Sequence, residues 1–394
     1  MTAMSAGQDS EAKRLLKLRG LLRRLCRSCL RNNCLGGRSV DTRQPVSYEL
    51  RMRHDRHMQT RRLVVYLRGT MCEWNRLAGG CVYCGFYRAT NGGKRIAGSD
   101  FLAQIADAQR AYLESEADAV GLYNDGSFFN DREIDDTTQM EMLRRVAQWP
   151  GIRQITVESR MDYVSASKLR KAQAAVGSII LEVATGIDST NQEILDMTSN
   201  RGISIRRTLE KLAMAKEFGF RTTGLMVFGL PFLTDAEIVA DACTTVEELL
   251  SRGICVDVEA MTVQTGSFLH DLYECDMYRV PWLWSIVELF RRLPDVSDVY
   301  LSPFSYSVEP VAMPHNCAEC SENVKRQLHD VFMRTRCKDD LPVLEVCCGS
   351  QWQQRFRACP TTTILHRAEN ALKQLASRGA PVGDKCSRPL EEQC

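Results

Sequence analysis

Histidine is scarce, with six residues in a chain of 394 and no cluster of them. Ordinary histidine-based acid–base or hydrolytic catalysis therefore has little to work with. No apolar run approaches the roughly 18 residues that mark a transmembrane helix, so no membrane partner is expected. The basic N-terminus lacks the apolar stretch of a secretory signal, and a cytoplasmic chain is expected. Nor does one sign of charge prevail. The 51 Lys and Arg against 49 Asp and Glu leave a formal charge of +2, so no whole-molecule field dictates an anionic partner. The hydrophobic share of 44% and charged share of 25% are ordinary for a globular protein. Internal repeats and low-complexity blocks are absent. The length suffices for one large catalytic domain and a smaller appendage.

Cysteine is abundant instead. Seventeen cysteines occur, an odd number that cannot pair completely. In a large chain without a secretory signal, metal or redox chemistry in a reducing compartment is the better reading than a disulfide framework.

The chain divides by pattern. Residues 1–58 form a basic N-terminal appendage. Between Lys13 and Arg31 lie eight basic residues and no acidic ones. Leu15, Leu16, Leu18, Leu21, Leu22 and Leu25 fall roughly on one helical face. A solvated amphipathic helix packing on the domain is the plainer reading, and a nucleic-acid or partner-docking arm the sharper one. Cys26, Cys29 and Cys34 follow without an evident fourth zinc ligand.

Residues 59–265 alternate strands (63–68, 117–123, 152–158, 178–185, 221–229 and 254–263) with helices (100–115, 131–148, 165–176, 205–219 and 235–252). Six β/α units in about 200 residues imply a covered parallel sheet. The fold class expected is α/β, a partial (β/α)6 TIM-like barrel. Residues 266–375 read as a small cysteine-rich C-terminal extension and 376–394 as a flexible tail.

The segment CEWNRLAGGCVYCGFY sets Cys72, Cys81 and Cys84 in a CX8CX2C spacing. It follows the first barrel strand, and loops at the carboxyl ends of barrel strands build active sites. Three thiolates can hold three irons of a [4Fe–4S] cluster and leave the fourth open. A zinc knuckle is the plain alternative, but structural zinc takes four protein ligands. No fourth Cys or His is near the triad.

This pattern resembles the radical-SAM superfamily, in the branch of the Elongator catalytic subunit and the archaeosine synthase radical-SAM subunit. NDGSFFNDREI (124–134), VESRMDYV (157–164), EVATGIDSTNQEIL (182–195), FGLPFLTDAE (228–237), PWLWSIVEL (281–289) and the tail HNCAEC…VCCGSQW (315–352) extend the likeness to the archaeosine family over residues 60–355. The resemblance implies that a [4Fe–4S] cluster on the triad cleaves S-adenosylmethionine reductively. The 5′-deoxyadenosyl radical formed then abstracts a hydrogen from the substrate.

For the cofactor site the resemblance implies Phe86 just after the CxxC, and Asp125, Gly126 and Ser127, whose backbone would meet the methionine amino group. Glu158, Ser159 and Arg160 end the third strand. Arg160 could hold the methionine carboxylate bidentately, or Glu158 and Arg160 could pair with neighbours. Arg201 is a second candidate for that carboxylate. Phe228, Gly229, Leu230 and Pro231 are suited to pack the adenine. Barrel-rim loop chemistry is the plainer reading of each.

A one-electron donor is implied, with either a tRNA 7-deazaguanine substrate and a partner subunit or a small molecule of a biosynthetic pathway. A non-catalytic metal-binding scaffold is the reading from a different class. Beyond the barrel, Cys317, Cys320, Cys347 and Cys348 suit a zinc site, an auxiliary cluster or plain buried thiols. Trp282 and Trp284 read as barrel-end packing, with substrate stacking as the alternative.

Overall fold

The computed structural model describes residues 2–33, 40–54, 59–304, 308–344 and 347–377. Cys34 and most of the expected tail lie outside them. A single eight-stranded sheet runs in sequence order. Its strands are β1 (Ser47–His54), β2 (Gln59–Tyr66), β3 (Ala119–Tyr123), β4 (Gln154–Glu158), β5 (Ile180–Gly186), β6 (Arg221–Phe228), β7 (Cys255–Ala260) and β8 (Val299–Leu301). β1 pairs antiparallel with β2, and every other neighbouring pair is parallel.

Helices cover the outside, among them Gly98–Ser115, Asp136–Val146, Ala166–Val176, Ile205–Glu217, Asp235–Ser251 and Leu283–Arg292. Several start at polar caps. Asp135, Ser165, Ser204 and Thr234 each accept a hydrogen bond from the N–H three residues on, satisfying donors that a helix start leaves free. The result is the expected α/β TIM-like barrel, nearly closed, in which the six expected strands are β2 to β7. Two more strands come from the flanking segments. β1 lies within residues 1–58 and β8 beyond 265.

At the lower end of the barrel the interior is charged. Glu182 on β5 is buried and bound from both sides. Arg62 on β2 donates to it at 2.8 Å and Arg53 on β1 lies 3.0 Å away. Thr156 donates at 2.8 Å, and Gln154 and Thr223 also donate. Arg53 lies 4.0 Å over the Tyr300 ring of β8, and Arg51 Nη1 reaches Ser302 Oγ at 3.4 Å. Side chains thereby join the two edges of the sheet.

The basic N-terminal segment is one helix, Thr2–Asn33. It buries Leu18, Leu22, Cys26 and Cys29 in an apolar cluster with Leu365, Ala368, Leu372 and Leu375 of the C-terminal helix Ile364–Ser377. Arg14 pairs with Glu369, and Arg19 with Asp196. This is the amphipathic packing helix of the plainer reading. Among the described residues no helix is long and apolar enough to cross a membrane.

Burial alone would raise the Glu182 carboxyl, but the charges of Arg53 and Arg62 and the threonine hydrogen bonds outweigh it and hold it well below the usual carboxylate range. A depressed folded-state pKa stabilises above the unfolded value of about 4.3, and that contribution is lost as pH falls below it. Glu182→Ala should lower unfolding free energy by about 3–5 kcal/mol in urea titrations at neutral pH, since it strands two buried guanidinium groups. The penalty should shrink progressively below about pH 4. A penalty unchanged at pH 3 would contradict this account.

Candidate functional site: a cysteine-lined cavity at the barrel mouth

Cys72 precedes the short helix Glu73–Ala78, which ends at Gly79 in the left-handed region (φ 84°). A Cβ on Gly79 would stand 2.3 Å from the backbone nitrogen of Arg27, so only glycine lets this loop lie against the N-terminal helix. Cys81 and Cys84 close a turn in which Cys84 N–H donates to the Cys81 carbonyl at 3.1 Å.

A second segment, after helix Gln192–Thr198, holds this loop. Asn200 Nδ2 donates to the carbonyls of Ala78 (3.1 Å) and Gly80 (2.6 Å). Trp74 Nε1 donates to Asn200 O at 2.7 Å, and Val82 N–H to Ser199 O at 2.9 Å. A third support is Glu133. Its carboxylate accepts from the N–H groups of Glu73 (2.9 Å) and Ser127 (2.7 Å) and from Asn130 Nδ2 (2.9 Å). One buried carboxylate therefore links the turn after β3 to the residue following Cys72.

One cavity opens over this arrangement. It receives Cys72, Cys81, Cys84, Phe86, Asp125, Gly126, Glu158, Arg160 and Arg201 of the expected site residues. Ser127, Ser159, Phe228, Gly229, Leu230 and Pro231 do not line it. Ser127 and Ser159 are fully buried behind it, where Ser127 Oγ accepts from Arg160 N–H and Ser159 Oγ from Phe129 N–H, each at 3.3 Å. Phe228 packs in the core, Leu230 joins the N-terminal helix cluster, and Gly229 O accepts from Tyr278 OH at 3.0 Å. The apolar wall comes from Leu225, Val227, Ala260 and Met261 instead. Successive strand side chains face opposite ways, so Val227 faces the cavity and its neighbour Phe228 faces away.

The two candidate arginines differ. Arg160 Nη1 donates to Arg201 O (2.8 Å), Nη2 pairs with Asp162 (2.8 Å), and the guanidinium lies 4.8 Å over Trp74. Arg201 Nη1 donates to Tyr83 OH (2.5 Å) and lies 3.2 Å from Asp188, while its buried Nε has no partner among the described residues. Asn75 Nδ2 and Gln264 Oε1, on two other cavity residues, are likewise buried and unpartnered. A ligand carrying both amino and carboxylate groups would satisfy such donors and acceptors. A Cβ on Gly186 would meet the Arg201 guanidinium at 1.4 Å, so Gly186 leaves the room that this side chain fills.

Burial raises the carboxyls of Asp125 and Glu158 to about 7 and that of Glu259 on β7 to about 8. It also lifts the thiols, Cys72 to about 12 and Cys81 and Cys84 upward. Three thiols whose anionic form burial disfavours are well suited to a cation brought among them, which reverses the balance. The residues present fit an iron–sulfur group. Asn75, Tyr83, Glu133, Glu259 and Gln264 were not expected from sequence. Glu133, six residues after Ser127 in a loop that also holds Phe128 and Phe129, carries only a weak sequence signal.

Residues 68–242 match the radical SAM superfamily, and the chain carries a radical SAM domain. Such a domain implies a [4Fe–4S] cluster and S-adenosylmethionine. The chain is 25% identical over 310 residues to archaeosine synthase subunit beta of Methanosarcina acetivorans, spanning 75% of this chain and 85% of that protein. It is 23% identical over 239 residues to archaeosine synthase subunit beta of Thermococcus kodakarensis, spanning 60% and 73%. Among solved structures it is similar to Methanocaldococcus infernus Elp3 lacking its N-terminus, with a TM-score of 0.45, 18% identity, and 61% and 62% of the two chains covered. It is also similar to methylornithine synthase (PylB), with a TM-score of 0.46, 16% identity, and 83% and 95% covered.

Glu133→Ala leaves the N–H groups of Glu73 and Ser127 without their acceptor. It should cost about 2–6 kcal/mol in denaturant unfolding, at about 1–3 kcal/mol for each of the two stranded groups. Alkylation of Cys72 in the metal-free chain, followed by peptide mass spectrometry, should be faster than in the parent. Unchanged stability and an unchanged alkylation rate would contradict the bridging role.

Proposed function

We propose that Cys72, Cys81 and Cys84 hold the [4Fe–4S] cluster of a radical SAM enzyme acting on a 7-deazaguanine nucleotide in tRNA. The observation that carries the reading is the opening of all three thiols, on one loop, into the cavity that also receives Arg201 with its unpartnered Nε. When bound, the reduced cluster supplies the electron that breaks the C5′–S bond of S-adenosylmethionine.

The chain's own residues bind, orient and exclude water. Arg201, braced by Tyr83 and Asp188, offers its guanidinium to the methionine carboxylate. Asp125 is held with φ 50° at the turn after β3, so the backbone there faces the cavity where the methionine amino group would lie. Leu225, Val227 and Met261 supply apolar surface for the adenosyl part. The Arg160 guanidinium is occupied by Asp162 and Arg201 O, and we assign it to positioning the 199–202 segment.

The reaction we assign is radical C–N cleavage of a lysine-modified 7-deazaguanine, leaving the formamidine of archaeosine, with a partner subunit and an external one-electron donor. Its support is the likeness to archaeosine synthase subunit beta across 85% of that protein. The strongly basic N-terminal helix, compatible with RNA, adds to it.

Anaerobically reconstituted Cys81→Ala should form no 5′-deoxyadenosine from S-adenosylmethionine and dithionite. Persistence of that product overturns the cluster assignment. With tRNA bearing the lysine adduct, nucleoside mass spectrometry should show archaeosine replacing it. Turnover of the free nucleoside but not of the tRNA would move the enzyme to small-molecule chemistry.

Glu259 charges as pH rises through about 8. A cationic ligand in the cavity should therefore bind more tightly at pH 9 than at pH 6, and Glu259→Gln should flatten that dependence. KM for S-adenosylmethionine against pH measures it, and equal slopes in parent and variant would refute the role.

A further inference from the structure

Outside the cavity lies a second group of thiols. Cys317 and Cys320 precede helix Ser321–Asp330, and Cys347 and Cys348 precede helix Gly349–Arg357. Their four sulfurs all lie within 4.8 Å of one another. The measured edges are 3.6 Å for Cys317–Cys320, 3.4 Å for Cys317–Cys347, 3.6 Å for Cys320–Cys348 and 4.0 Å for Cys347–Cys348. We propose that these four cysteines form a closed tetrathiolate zinc site, structural in role, that is separate from the cavity and pins the C-terminal segment to the barrel.

The sulfur spacing decides among the alternatives. A zinc ion with Zn–S bonds of about 2.3 Å sits in a tetrahedron whose edges are about 3.8 Å. The observed edges bracket that length. A disulfide needs about 2.05 Å between sulfurs, shorter than any of them. The thiolates of a [4Fe–4S] cluster each bind a different iron at the corners of a cube, so they stand well farther apart than ligands of a single ion. Four thiolates also fill a tetrahedral ion completely, and no position is left open for a substrate.

The surroundings support a fixed site. Cys320 and Cys348 are buried. Trp284 Nε1 donates to Cys348 Sγ at 3.3 Å, the kind of second contact that orients a ligand and tempers its charge. Ser321 closes the Cys317–Cys320 turn, its hydroxyl donating to Cys317 O at 2.7 Å and accepting from Asn316 N–H at 2.8 Å. Trp352 Nε1 donates to Ser285 Oγ at 2.9 Å and Trp284 N–H to Asn316 Oδ1 at 3.2 Å, so both cysteine pairs are tied to helix Leu283–Arg292. The segment entering the site pairs Ala312 with Val263, beside the cavity residues Thr262 and Gln264. Zinc here would hold that part of the cavity wall in register, without touching the reacting atoms.

The full chain, purified in air without added metal, should contain about one zinc per chain by plasma mass spectrometry. A Cys72→Ala, Cys81→Ala, Cys84→Ala triple variant should keep it. Growth with cobalt should give the intense visible bands of tetrahedral thiolate-bound Co(II). Cys320→Ser and Cys348→Ser should lose the zinc and lower Tm, with the Cys72 triad still able to take iron. The proposal is overturned if the triple variant reconstitutes with about four irons per chain, or if the metal-free parent chain shows the four thiols free and the same Tm as the purified protein. Where the serine variants do not fold, the zinc and cobalt content of the parent and triple variant decides.

Discussion

The cavity depends on how one loop's backbone polar groups are satisfied. Residues 72–84 carry three thiols into a buried place where unpaired carbonyls and N–H groups would each cost about 1–3 kcal/mol. The loop cannot satisfy them alone, because its single short helix ends at Gly79. Asn200 takes the carbonyls of Ala78 and Gly80, and Glu133 takes the N–H of Glu73. These partners arrive from the β5–β6 and β3–β4 connections. Once they are in place, the turn at Asp125, the Arg201 side chain and the cysteine loop are fixed relative to one another. The N-terminal helix closes the outer side through its contact at Gly79.

Charge inside the barrel is divided into two layers with different consequences. Below, Glu182 is matched by Arg53 and Arg62 and by three further donors, so its charge is compensated without a ligand. Above, Asp125, Glu158 and Glu259 face open space, and burial pushes each upward. Arg68 beside Asp125, Arg201 beside Glu158 and Arg51 beside Glu259 offset only part of that. A compensated layer is architecture, and an uncompensated one invites a charged occupant. The boundary lies between residues 182 and 186 of β5, where Glu182 is satisfied and Gly186 opens onto the cavity.

Much of this was legible in sequence for physical reasons. Strands β2 to β7 each carry a short run of β-branched and other apolar residues and alternate with amphipathic helices, so their pattern finds them. β1 escapes that test because Glu49, Arg51 and Arg53 alternate with Leu50 and Met52, and it is the charged set that is turned toward the barrel interior. β8 is three residues long, too short for any period. The cysteine spacing was informative because three thiols on one loop act locally. The adenine wall was not, since β6 presents Leu225 and Val227 while Phe228 turns away, a difference of one residue that only register resolves. Glu133, Glu259 and Gln264 gain their meaning from contacts across the barrel, which no local pattern records.

The two cysteine sets differ in surroundings that sequence left open. Both contain a CxxC, Cys81–Cys84 and Cys317–Cys320, and the motif alone suits zinc or iron equally. What differs is where the remaining ligands come from and how close they stand. Cys72 lies nine residues before its pair, across a helical turn, and all three cysteines line the wall of one cavity. Cys347 and Cys348 come from a different segment and approach the other pair to 3.4 and 3.6 Å, a spacing suited to one ion. The open set faces a cavity lined with unpartnered polar atoms, and the closed set faces Trp284 and the helix behind it. As proposed, the triad would leave one metal position open and the tetrad none; the first set lines a cavity and the second is packed against Trp284.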